Sequence, residues 1–167
     1  MTVPSKEATR VTMALNKTED RISLVCALPD SESAELWLTA RLARQLIPHL
    51  LEEPARLPEH SVNKNEREIV GDGEPGTHDT AVIADRDTPS WLVTAIDIHR
   101  GPSMVQLCFR NERHYPAISL GLEYTQLGQW LAGLKQCYIQ ADWPMDCWQP
   151  PKETNRAFGT MPQLTLH

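Results

Sequence analysis

The second half of this chain repeats the hydrophobic pattern of the first. Adding 84 to the positions of Leu36, Leu38, Ala43, Leu46, Ile47 and Leu50 leads to Leu120, Leu122, Leu127, Trp130, Leu131 and Leu134. Every one of these positions is apolar in both halves, and the offset is close to half of the 167 residues. A unit of a few strands and one helix has too little core to stand alone, so its recurrence implies two similar units around a shared interior.

The local patterns supply the parts of that unit. Val11, Met13 and Leu15 alternate, as do Ile22, Leu24, Cys26 and Leu28, then Leu36 and Leu38, which predicts three strands. Thr39 is placed to cap a helix running to about Glu53, with Leu42, Ala43, Leu46, Ile47, Leu50 and Leu51 along one stripe. Pro48 lies inside that stripe and predicts a kink or break, since it lacks an amide donor and crowds the preceding turn. The second half repeats the plan with strands over 91–99, 104–110 and 117–122. Leu92, Ile96 and Ile98 face inward in the first of these. A helix from about Tyr124 to Ala141 follows, with Leu127, Trp130, Leu131, Leu134 and Tyr138 on one face.

These patterns predict an α+β fold, a pseudo-symmetric duplication of a β-β-β-α unit with antiparallel sheets each covered by one helix. The first unit spans 10–53 and the second 91–148. Residues 54–90, rich in Glu, Asp, Asn, Gly and Pro, read as a flexible linker, with a short strand near Thr80 to Ala84. Residues 149–167 read as a loosely held tail. The apolar Trp143 to Trp148 segment reads as folding back to close the core.

Composition narrows the function classes. The net charge is −6, whereas a dedicated duplex-DNA binder carries a basic surplus. Met1 to Arg10 has no apolar core of a signal peptide, and no apolar run reaches the roughly 18 residues of a membrane helix. The reading is therefore cytoplasmic, and the four cysteines default to reduced thiols. Cys137 and Cys147 bracket a helix end but are expected to remain unpaired. His99, Cys108 and His114 lack the spacing of a tight zinc pair, so no metal and no cofactor are expected. Nucleophile-elbow, dinucleotide and phosphate-loop motifs are not found, and the carboxylates, Asp85, Asp87 and Asp97 among them, are scattered. No enzyme is indicated.

The face turned away from the helices is more informative. Alternation places Arg21, Ser23, Val25, Ala27, Glu35, Trp37 and Thr39 there in the first half. It places Trp91, Val93, Ala95, Asp97, Gln106, Cys108, Arg110, Ala117 and Ser119 there in the second. Tryptophan and arginine on a fairly apolar face mark an interaction surface, with Trp37, Trp91, Arg21, Arg110 and Gln106 as its candidate binding residues. The favoured expectation is a non-catalytic protein–protein adaptor or regulator that self-associates or binds a protein partner. The alternative is single-stranded nucleic acid, with Trp37 and Trp91 stacking bases while Arg21 and Arg110 hold phosphates. In topology alone the predicted plan resembles the duplicated strand-and-helix units of Whirly-type and Pur-type single-strand binders, which implies that alternative. The outward positions differ between the halves, as where Trp37 aligns with Gly121, so one half is expected to carry the functional face.

Overall fold

The protein, seen in a computed structural model, is described over residues 4–52, 81–149 and 163–167. The first half contains β1 (Ser5–Glu7), β2 (Arg10–Asn16), β3 (Arg21–Ala27), β4 (Ser33–Thr39) and α1 (Ala40–Leu51). The second half contains β5 (Ser90–Leu92), β6 (Ala95–Arg100), β7 (Met104–Asn111), β8 (His114–Glu123) and α2 (Tyr124–Ala141), and β9 (Gln163–Leu166) follows. Tyr124 opens the second helix 84 positions after Ala40 opens the first. The fold is α+β with two sheets, one of five strands in the order β1-β8-β7-β6-β9 and one of four in the order β2-β3-β4-β5.

Short-range chemistry explains most boundaries. Asn16 Oδ1 accepts from the amides of Thr18 and Glu19, and Asp20 takes a left-handed φ of 52°, so the chain reverses tightly into β3. Thr39 Oγ1 accepts from the Leu42 amide at 3.2 Å and starts α1. Glu123 and Gln126 form a reciprocal capping box at the start of α2, and Asp142 ends it in the left-handed region. The Trp143–Trp148 segment does close the core. Trp143 and Cys147 are buried, and Trp143 and Trp148 stand edge-on to the Tyr138 ring. The Arg44–Asp146 ion pair ties that segment to α1.

Four features differ from the sequence-based expectation. First, each half opens with an extra three-residue strand, and these strands pair in parallel with the other half, so the sheets are mixed rather than antiparallel. β1 lies along β8, matching Ser5 to Ala117 and Glu7 to Ser119, while β5 lies along β4, matching Leu36 to Trp91 and Trp37 to Leu92. The changeovers occur between consecutive residues. The Ala8 amide bonds Ser119 O of one sheet and the Thr9 amide bonds Ala27 O of the other. The Val93 amide likewise bonds Trp37 O, and the Thr94 amide bonds Arg110 O. Following the pairings through these two crossing strands leads once around both sheets and back to β8.

Second, α1 runs unbroken from Ala40 to Leu51 with Pro48 inside it, because its apolar stripe is held against the core. The missing hydrogen bond still costs the helix. Pro48→Ala is expected to stabilise the protein by about 1 kcal/mol, read as a rise of a few degrees in the thermal midpoint. Third, residues 81–84, where a short strand was expected, form none. The Val82 amide nonetheless donates to Thr12 Oγ1 on β2 at 2.8 Å. The remainder of the expected linker lies largely outside the described residues. Fourth, the expected loose tail ends in β9, which pairs antiparallel with β6 from Gln163 to Leu166, and residues 150–162 lie outside the described residues.

One hydrophobic cluster gathers the inward faces of both sheets with both helices. Ile22, Leu24, Leu36, Leu38, Ile96, Ile98, Leu107 and Phe109 are fully buried in it. Helix α2 packs on β7 and β8 and also on β2 of the other sheet, while α1 packs on β4 and reaches β9. Each helix therefore spans elements of both sheets.

Candidate binding surface

The crossing from β5 to β6 sets the geometry of the outer surface. Within β5, Trp91 registers with Leu36 and joins the core at 7% exposure, while Leu92 registers with Trp37 on the outer face. Trp91 and Trp37 thus occupy opposite faces of the four-stranded sheet. Alternation assigned Trp91 and Val93 outward and Leu92 inward because it treated 91–99 as one strand. The strand changes sheets at Val93 and Thr94, and its facing changes with it. Val93 is buried in the core. The His114 ring stacks on Trp91 with centroids 5.8 Å apart and planes 6° from parallel.

On the outer face, Trp37 is half-buried and its Nε1 donates to Ser90 Oγ at 2.6 Å. Beside Leu92 an open groove of about 520 Å³ has formed. Leu92, Thr94 and Ala95 line it from the β5–β6 crossing, Arg110, Asn111, Glu112 and Arg113 from the β7–β8 hairpin, and His167 from beyond β9. Asn111 builds the corner: its Nδ2 donates to Leu92 O at 2.6 Å and its Oδ1 accepts from the Arg113 amide at 2.9 Å. The hairpin turn is thereby fastened to β5. Thr94 Oγ1 adds a bond to Arg110 O at 3.2 Å.

The floor of the five-stranded sheet is polar. Arg110 donates through Nε to Asp97 Oδ2 at 2.6 Å and through Nη2 to Asp97 Oδ1 at 2.9 Å. Thr165 Oγ1 donates to Asp97 Oδ1 at 2.6 Å. Burial by itself would raise the Asp97 carboxyl. The hydrogen bonds from Arg110 and Thr165, with the charge of Arg110, outweigh burial and hold it below the ordinary carboxylate range.

The five candidate residues are therefore divided. Trp37 and Arg110 come to the same end of the molecule, linked by Leu92. Arg21 shares the outer face with Trp37 but registers with Thr39, and Gln106 lies farther along β7 opposite His99 and Gly121. Trp91 is inside. The outer face is not a broad apolar patch either. Val25, Ala95, Cys108 and Ala117 are small or flanked and nearly buried, and the polar Ser23 donates to Glu35 Oε1 at 2.7 Å. Asn111 and Arg113 went unrecognised because their segment reads only as a turn. The Asp97–Arg110 pair did have a signal, as opposite charges assigned to one face of adjacent strands.

The four cysteines are unpaired and buried, and burial raises each thiol, with Cys26 pushed up to about 12. Among the described residues no three metal-capable side chains gather. No helix among them is long and apolar enough to cross a membrane. No family model, curated protein or solved structure matches the chain.

Proposed function

We propose that this protein acts without catalysis of its own, by binding another protein through the surface where β5 passes from one sheet to the other. The groove carries this reading. Half-buried Leu92 lies between a half-buried tryptophan and the arginine-bearing end of a hairpin. Tryptophan and arginine around an apolar centre are the composition of interface hot spots. Glu112 beside Arg113 gives the rim both charges, which suits a protein partner better than a polyanion. The net charge of −6 points the same way. The nucleic-acid alternative loses support, because Trp91 faces the core and Arg110 is engaged by Asp97. The four thiols fit a reducing compartment, and the cytoplasm is the proposed location.

Affinity capture followed by light scattering tests the proposal. The wild-type protein is expected to retain a partner, or a second copy, giving a mass above its own 18.9 kDa. Arg113→Glu and Trp37→Ala are expected to weaken that association about tenfold, with little change in melting for the exposed Arg113 and a fall of only a few degrees for the half-buried Trp37. A monomer without partner, or a partner held equally by both variants, would contradict it.

A further inference from the structure

The outer edge of β6 is occupied by a strand of this same chain, and the contacts spell out what that edge accepts. β9 pairs antiparallel, setting Leu166 against Ile96, Thr165 against Asp97, Leu164 against Ile98 and Gln163 against His99. Leu166 is buried in the core, Leu164 packs against it half-buried, and the residue between them turns outward. Its hydroxyl meets the Asp97 carboxylate at 2.6 Å. Asp97 spends one lone pair of each oxygen on Arg110, and the hydroxyl uses a further one on Oδ1. His167, directly after β9, lines the groove together with Leu92, so the strand on the β6 edge leads into the groove.

Recognition at this edge combines the main-chain ladder with the preference that Leu164, Thr165 and Leu166 supply, as in strand addition to a sheet edge.

We infer that the β6 edge is a peptide-recognition site for an extended segment of a partner protein with the pattern aliphatic, serine or threonine, aliphatic, and that β9 occupies it as an internal ligand. The inference rests on the protein-binding reading and names the partner's chemistry. A competing strand replaces β9's ladder, its two aliphatic contacts and its hydroxyl bond one for one. Exchange therefore leaves the edge satisfied. Binding to the resting protein is weakened by the small fraction of molecules whose edge is open. A carboxylate at the central position is repelled by Asp97. A valine there leaves the Asp97 acceptor without its third donor.

The probe is a fluorescent peptide of sequence Gln-Leu-Thr-Leu-His added to the full chain and followed by anisotropy. Leu166→Asp, which removes the buried anchor of β9, is expected to bind it at least about tenfold tighter than wild type. Thr165→Val releases β9 more gently and is expected to fall between the two. The same peptide with valine in place of threonine is expected to bind about tenfold more weakly. Equal or undetectable binding to wild type and to a release variant that still melts cooperatively would overturn the inference. So would equal binding of the threonine and valine peptides. If Leu166→Asp fails to fold, Thr165→Val alone decides. A negative result here, with a partner still lost in Arg113→Glu, removes the β6 site and leaves the proposed function standing.

Discussion

Trp91→Ala is expected to destabilise the protein by about 3–5 kcal/mol, the cost of emptying a large aromatic site in a core. Domains of this size have only about 5–15 kcal/mol in total, so the denaturation midpoint falls steeply. Position makes the loss severe. β5 has three residues, and Trp91 is the one that enters the core, opposite Leu36 and beneath the His114 ring. Without it the parallel pairing with β4 keeps its backbone but loses its anchor, and Leu92 loses its fixed place beside the groove. Trp37→Ala is the matched control. Trp37 is half-buried on the outer face and held by one bond to Ser90, so its removal is expected to cost about 1 kcal/mol. Equal costs, or a larger cost for Trp37, would return Trp91 to the surface.

Asp97→Ala is expected to cost about 2–3 kcal/mol. Removing one partner of a fully buried ion pair costs about 3–5 kcal/mol, because the other charge is left stranded. The Asp97 side chain is 11% exposed and that of Arg110 28%, so the orphaned guanidinium keeps part of its hydration and the loss is smaller. Thr165 loses its acceptor as well, which loosens β9. The same pair sets an acid limit. Asp97 titrates lower in the folded protein than its ordinary 3.8, so the unfolded chain binds the proton first as pH falls. The stabilisation is complete above that ordinary value and drains away as pH drops through the lower folded value. Asp97→Asn is therefore expected to lose less stability than wild type on acidification below about pH 4, measured by urea unfolding across that range. Parallel pH curves for the two proteins would refute this.

The elements that were legible in the sequence are those stabilised by their own side chains. β3, β4, β7 and β8 alternate cleanly, Thr39 caps α1, and the stripe of α2 holds its period from Leu127 to Tyr138. The elements that were not legible owe their existence to partners distant in the chain. Ser5-Lys6-Glu7 has no periodicity, and it is a strand because β8 offers an edge to it. β5 blends into β6 by composition, and only the changeover of amide partners at Val93 and Thr94 separates them. That single break inverted the facing of Trp91, Leu92 and Val93, and with it the two-tryptophan platform. β9 reads as polar tail because its two leucines gain meaning only against Ile96 and Ile98. The surface followed the same rule. Trp37 and Arg110 were visible as residue types, whereas the groove joining them depends on Asn111 fastening a turn to another strand.

Reciprocal crossing implies that neither sheet has a stability of its own. Each helix packs on elements of both sheets, and each short strand completes the other half's sheet. Native-state amide hydrogen exchange in wild type and Trp91→Ala, comparing Leu24 on β3 with Leu107 on β7, tests this most directly. Both amides are expected to exchange through the same global opening in wild type, and to lose protection by the same amount in the variant. Loss confined to Leu24, with Leu107 unchanged, would show two independently stable halves and contradict the shared core.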